Sequence, residues 1–368
     1  MASAAGSDLP PLSGSGLPPE LISAVEKTYA DFQRRRDWPL RHGAILPSAT
    51  LQWSDGMRLI SAGNNIFHIP MAETWYGFLY NLLAEEIGPD WFTDELQKPK
   101  GTRHILAEWY AIVCDREADE HGHFTRHDPK AEIGTTLAFR SMAYDMFCLM
   151  QAMNLSPKLI ARLRHPEQFE GARYELWVAA TLSRAGFTIE FFDEDDRSSK
   201  HGEGVATHTA SGKKFWIEAK RRHRIGFDYL RAFLDRLPIK VDAKLIAAAM
   251  KKPAYDDRLI FIDVNRPPWE GAPGAAPWID AFRKSLNLLE RQPKYRDDAS
   301  QKAFVMVTNH PYHYLSNARP DPRQQFFGTT FNMPGLNPLT FDADHPAIFE
   351  LMQSINQHFA IPETFLER

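Results

Sequence analysis

The segment Lys214-Phe215-Trp216-Ile217-Glu218-Ala219-Lys220 alternates apolar and polar side chains at the period of a half-buried β-strand. In such a strand alternate residues share a face. Phe215, Ile217 and Ala219 then point into a core, and Glu218 and Lys220 sit together on the opposite face, about 7 Å apart along the chain. A carboxylate and an ammonium side by side are what metal-assisted phosphodiester hydrolysis uses. The carboxylate binds a hard cation through oxygen, and the lysine positions a water or helps to deprotonate it. Acid-x-lysine is a common triplet, and Asp128-x-Lys130 and Asp242-x-Lys244 repeat it. Pro129 interrupts the first and the second falls in a helical pattern, so neither offers strand geometry. The plainer account of Glu218 and Lys220 is an exposed sheet face with a solvated salt bridge.

The surrounding elements argue for more. A strong helical pattern over 169–185 ends at Gly186, the residue expected just past a helix C-terminus. Phe187 to Phe192 reads as a strand, an acidic polar loop follows, and Val205 to Thr209 reads as a second strand. Ser211-Gly212 marks the turn of a hairpin whose return strand is Lys213 to Lys220. That hairpin brings Glu203, just ahead of Val205, beside Glu218. Glu175 stands three residues before Val178 and seven before Leu182, bordering the helix stripe that faces the sheet. A helical region over about 226–250, a buried strand at Leu259 to Val264, a helix from Trp278 to Glu290 and a buried strand at Ala303 to Thr308 complete an α/β domain on a mixed sheet.

These residues resemble the PD-(D/E)XK nuclease superfamily, the restriction-endonuclease-like fold. The resemblance covers roughly residues 166–310 and rests on GARYELWVAATLSRAGF, HGEGVATHTASG and KKFWIEAKRR. It implies an αβββαβ core, with Glu218 and Lys220 as the E-x-K pair and Glu175 as the acid of the helix. Glu203 takes the place of the usual aspartate, because Gly202-Glu203 stands where the family has Pro-Asp. Asp196, displaced into the preceding loop, is a weaker substitute. It further implies Mg²⁺ or Mn²⁺ on Glu203, Glu218 and Glu175, an endonuclease acting on DNA, with RNA as the second choice of substrate, and a role in restriction, repair or anti-phage defence.

Six cations, Lys213, Lys214, Lys220, Arg221, Arg222 and Arg224, stand against the single acid Glu218 between 213 and 224. Beside a metal site, Lys213, Lys214, Arg221, Arg222 and Arg224 would neutralise phosphates; a solvated strand end is the plain alternative. His121, His123 and His127 in EHGHFTRH offer a rival zinc hydrolase, although no pattern fixes the three together. His310 and His313 read as loop residues after the last strand.

The rest of the chain sets limits. It has 368 residues, 43% hydrophobic and 24% charged, which suits a folded chain of about two domains. Forty-three Lys plus Arg against forty-seven Asp plus Glu exclude a pervasive basic field, so a nucleic-acid surface has to be local. Two cysteines exclude a disulfide framework and a Cys-based zinc site. No apolar run is long enough to span a membrane and the first residues lack a signal-peptide pattern, so the expected location is cytoplasmic. Residues 1–18 read as a flexible tail and 19–165 as a mainly helical domain for recognition, partner contacts or a homodimer. Residues 166–310 form the nuclease-like domain, and 311–368 an extension with a final helix. Met142, Met146, Met150 and Met153 read as core packing rather than a cofactor stripe. A second functional expectation is a nuclease-like module that no longer cuts and binds nucleic acid or protein.

Overall fold

Alternation along residues 214–221 builds a strand, and five more strands pair beside it. The computed structural model describes residues 38–46, 50–52, 56–127, 133–192, 203–222, 240–254, 256–265, 276–298, 300–310, 326–358 and 361–362. The tail, Asp128-x-Lys130, Asp196, Arg224 and His313 lie outside the described residues.

The first described part carries a sheet that the sequence reading lacks. Strands β1 (Thr50–Gln52), β2 (Met57–Ala62) and β3 (Asn65–Pro70) form an antiparallel meander. Gly63, at φ 57, and Asn64 make the two-residue turn between β2 and β3, where only a residue tolerant of positive φ fits. Six helices follow: α1 (Trp75–Ile87), α2 (Pro89–Gln97), α3 (Ile105–Glu117), α4 (Gly134–Ala152), α5 (Pro157–Leu163) and α6 (Phe169–Arg184). The segment before residue 165 is therefore mainly helical, with a small sheet added to it. Met142, Met146 and Met150 are buried on α4 and pack in the core.

A six-stranded mixed sheet follows in the order β4 (Phe187–Phe191), β5 (Gly204–His208), β6 (Lys214–Arg221), β7 (Asp257–Asp263), β8 (Ala303–Thr308) and β9 (Phe326–Phe331). The β4–β5 and β5–β6 pairs are antiparallel, β6–β7 and β7–β8 parallel, and β8–β9 antiparallel. Helix α7 (Lys240–Met250) precedes β7, and α8 (Pro277–Glu290) with the short α9 (Pro293–Arg296) precedes β8. The short α10 (Phe341–Asp344) and α11 (Pro346–Gln357) close the described chain. The sheet thus runs past residue 310, since β9 continues it.

The apolar runs of β7 and β8 are explained by two covered faces. Phe215, Leu259, Phe261, Phe304 and Met306 join α4, α6 and the earlier helices in one cluster of buried residues. Ile260, Ile262, Val305 and Val307 face the other way and pack with Trp278, Ile279, Phe282 and Leu286 of α8 and with Ile246 and Ala249 of α7. The larger cluster crosses residue 165 without a break, from Phe78 and Phe147 to Phe215. Among the described residues, no helix is long and apolar enough to cross a membrane.

Candidate active site

The β5–β6 register decides which side chains meet. Gly204 pairs with Ile217, and the Glu203 amide donates to the Ile217 carbonyl at 3.0 Å, which sets Glu203 opposite Glu218. Directly opposed residues of an antiparallel pair share a face. Phe215, Ile217 and Ala219 turn to the α6 side, and Glu218 lies beside Ile260, on the side covered by α7 and α8. Gly204 permits the close approach of β4 on the other side of β5. A Cβ built there would stand 2.4 Å from the Glu190 carbonyl oxygen, which is backbone and cannot swing away. Gly204→Ala is expected to destabilise the fold by about 1–3 kcal/mol through this overpacking. A urea midpoint unchanged from wild type would refute the close approach.

Lys220 sits between the two acids. Its Nζ lies 3.6 Å from Glu203 Oε1, forms a close ion pair with Glu218 Oε1 and donates to the Ala219 carbonyl at 3.2 Å. Both Glu218 carboxylate oxygens are buried and neither accepts a hydrogen bond of good geometry, so the Lys220 charge is their close compensation. Burial pushes the Glu218 carboxyl above the usual carboxylate range, only partly offset by Lys220 and Lys252. Burial also raises Glu203, and the neighbouring Glu218 charge raises it further, against Lys220, Arg162 and Lys252. Burial works against the Lys220 ammonium, but Glu218 and Glu203 outweigh it and hold its pKa above the ordinary lysine value. Two crowded carboxylates with raised proton affinity fit a hard divalent cation. Mg²⁺ is commonly held by one or two carboxylates, with waters and substrate phosphate filling the remaining positions.

Glu175 is close enough to raise the Glu218 carboxyl, yet its own carboxylate is taken. Arg162 of α5 grips it with two hydrogen bonds, Nη1 to Oε2 at 2.7 Å and Nη2 to Oε1 at 2.5 Å. Glu175, Glu203, Arg162 and Lys252 share one cleft of about 850 Å³ with Lys158, Phe191 and Phe192. Lys252 also lines a small recess with Glu218 and Ile260. The sequence reading missed Arg162 and Lys252, since both lie outside any motif: one before α6, the other two residues past the end of α7. A lone cation near a helix end carries no signal of the acid it will meet.

The cationic strip does not form one surface. Lys214 is exposed at the far end of β6, about 20 Å along the strand from Lys220. Lys213 beside it pairs with Asp257 at 2.9 Å. Arg221 has the parity of Phe215, Ile217 and Ala219, and its side chain is 2% exposed, 3.2 Å from Asp263. Arg222 is also buried, its Nη1 donating to the Val264 carbonyl at 3.5 Å. Neither arginine is placed to meet a phosphate at the surface.

The histidine cluster is likewise dispersed. The amides of His121 and His123 both donate to Asp119 Oδ1 at 2.9 Å, a polar turn, and the His121 side chain is 73% exposed. His127 lies against Tyr76, ring centroids 4.6 Å apart, and 3.4 Å from Arg140. His310 is buried, its amide bonded to Asp263 and its ring 4.8 Å from Trp177. Among the described residues, no group of three or more His, Cys, Asp or Glu side chains is gathered in a geometry that could hold a metal ion. The acids of the cleft come together as a pair, Glu203 with Glu218, with Glu175 turned to Arg162. No family model matches the chain, and neither a curated protein nor a solved structure shows significant similarity to it.

Proposed function

We propose that this chain is a metal-dependent nuclease of restriction-endonuclease-like topology, hydrolysing phosphodiester bonds in DNA or RNA. The observation that carries the reading is the meeting of Glu203, Glu218 and Lys220 on adjacent strands at the edge of a cleft. The element order supports it: α6, an antiparallel β4–β5–β6 meander, α7 and then the parallel β7 agree with the αβββαβ core that the resemblance implies. Glu203 and Glu218 would hold Mg²⁺ or Mn²⁺, and Glu175 would join directly or through a water. Such a cation supplies charge neutralisation at the phosphate and a more acidic bound water. Lys220 orients the attacking water and offsets the charge that builds on the phosphorus oxygens. Roles in restriction, repair or defence, a cytoplasmic location and a dimer or partner surface before residue 165 rest on family analogy alone. The test is incubation of supercoiled plasmid and single-stranded DNA with purified protein and Mg²⁺ or Mn²⁺, beside Glu218→Ala. Metal-dependent cleavage present in wild type and lost in the variant supports the reading; equal cleavage by both removes it.

One observation favours a second reading, a module that no longer cuts. Arg162, Lys220 and Lys252 set three positive charges of the chain itself against Glu175, Glu203 and Glu218. Calorimetric titration with Mn²⁺ separates the two, since the silent module shows no binding that Glu203→Gln abolishes.

The raised proton affinities give a further expected result. A carboxyl whose pKa is higher in the folded chain than in the unfolded one opposes folding once both states ionise, and neutralising it removes that opposition. Glu203→Gln is therefore expected to raise thermal stability in metal-free buffer, at the ~0.5–2 kcal/mol scale common for relieved functional sites. Mn²⁺ should stabilise wild type and not the variant, and should lose that effect as pH falls into the raised carboxyl range. Calorimetric melts at pH 5 and 7.5 read both; a destabilised variant sinks the prediction.

A further inference from the structure

The cleft contains more than acids and their counter-cations. Phe191, the last residue of β4, is 42% exposed although it is paired in a sheet. Its cross-strand neighbour is Gly204, which has no side chain to cover the ring. Phe192, next in the chain, has its amide bonded to the Glu203 carbonyl at 3.0 Å and its ring 4.7 Å from Trp216 at 37°. Because β4, β5 and β6 keep the parity of directly opposed residues, the Phe192–Trp216 pair stands on the face of Glu203 and Glu218. Phe191, opposite Gly204 and through it Ile217, stands on the other face at the strand end, where it lines the cleft with Glu203. Lys158, Arg162 and Lys252 line the same cleft. An exposed aromatic ring beside cations is the chemistry of single-stranded nucleic acid binding. Bases stack on such a ring whatever their sequence, and the cations follow the phosphates. A volume of about 850 Å³ falls in the range of clefts that enclose drug-sized ligands, room for nucleotide units threaded one strand at a time.

We propose that the substrate class of this site is a single strand of nucleic acid, with Phe191 as the stacking platform that seats a base in the cleft that Glu203 and Glu175 line. This rests on the nuclease reading of the same site. Lys158 and Lys252 hold the flanking phosphates, and the duplex arms of a substrate stay outside the cleft.

The test is metal-free binding, in EDTA, of fluorescent oligo-dT, oligo-U and a blunt duplex of the same length, read by anisotropy. An oligo-dT carrying one 2-aminopurine reports stacking through its quenching. Wild type is expected to bind one or both single strands at least about tenfold tighter than duplex. Phe191→Ala is expected to lose about 5- to 150-fold of that affinity together with the quenching. Phe191→Trp should keep both, and melting curves confirm that each variant is folded. The oligo-dT and oligo-U arms decide which polymer the cleft prefers. Equal affinity for single strand and duplex, or an unchanged Phe191→Ala, overturns the proposal. Because no cleavage is read, the two readings fail separately. Phe191-dependent single-strand binding without any metal-dependent cutting keeps this inference and removes the nuclease. Cutting of duplex and single strand alike, indifferent to Phe191, does the reverse.

Discussion

Lys220→Ala is expected to lower metal-dependent phosphodiester cleavage by about 10²–10³-fold in kcat, the range seen when one preorganised transition-state donor is removed. The geometry says why the loss should fall on kcat. Lys220 is fixed from three sides, by Glu218, by Glu203 at 3.6 Å and by the Ala219 carbonyl at 3.2 Å, so its charge needs no reorganisation when the phosphate becomes more negative. Removing it also leaves two carboxylates facing each other without their shared counter-charge, and their proton affinity should rise further. The pH profile of Lys220→Ala should therefore shift to higher pH, a change that a merely structural lysine would not produce. Lys220→Arg restores the charge but not the compact ammonium, and partial rescue is expected. The side chain is 25% exposed, so the variant should stay folded, as a melting curve will check. Full activity with an unshifted profile in a folded Lys220→Ala protein would remove this lysine from the mechanism.

The hairpin that carries this site was readable because local chemistry and global fold agree there. Alternation over 214–220 and the Ser211-Gly212 turn both point to the same paired strands, and the register follows. Helix α6 was readable for the same reason, with Gly186 at φ 81 where the helix stops. What the sequence hid was long-range. Strand β9 reads FFGTTF, and Gly328 in its middle looks like a breaker. Its reason lies elsewhere, since a Cβ at Gly328 would stand 2.7 Å from the Met352 methyl on α11. The Met57–Pro70 hairpin carried its signals, alternation around a Gly-Asn turn, but it stands in a segment whose longer patterns are helical, and its third strand, Thr50–Gln52, is only three residues long. Arg221 was misplaced by treating a run of cations as one patch. The period of two that set Glu218 and Lys220 on one face already sends Arg221 to the other. The arginine grip on Glu175 had no local trace at all, because residues 13 apart meet only once α5 packs on α6.

The buried partner of Arg221 gives the second large effect. Asp263→Ala is expected to cost roughly 3–5 kcal/mol of stability, the usual result of stranding one charge of a buried pair. Asp263 ends β7 fully buried, with Arg221 Nε 3.2 Å from its Oδ2 and the His310 amide donating to its Oδ1 at 2.9 Å. The Thr308 hydroxyl donates to the same Oδ1 at 3.3 Å. All three guanidinium nitrogens of Arg221 are buried without a hydrogen bond of good geometry, and a second acid, Glu170, stands at 3.9 Å. Burial alone would raise the Asp263 carboxyl, but Arg221 and His310 outweigh it and hold the pKa down to about 2, against 3.8 in the unfolded chain. A depressed carboxyl stabilises the fold above its unfolded pKa and loses that contribution as pH falls towards its folded value. The wild-type urea midpoint should therefore drop between pH 4 and 2 by more than that of Asp263→Asn, which has no charge to lose. Arg221→Met with Asp263→Leu should recover much of the stability of Asp263→Ala, because a buried pair replaced by apolar side chains strands nothing. The pair also bears on the site. The Arg222 amide donates to the Asp263 carbonyl at 3.0 Å, pinning the chain two residues beyond Lys220 to the end of β7. Loosening that end should let the ammonium wander from its two acids, so Asp263→Asn should lower kcat without changing single-strand affinity in EDTA. An Asp263→Ala protein with the wild-type midpoint at pH 7 would mean that Glu170 alone satisfies Arg221 and that the end of β6 is held by its backbone.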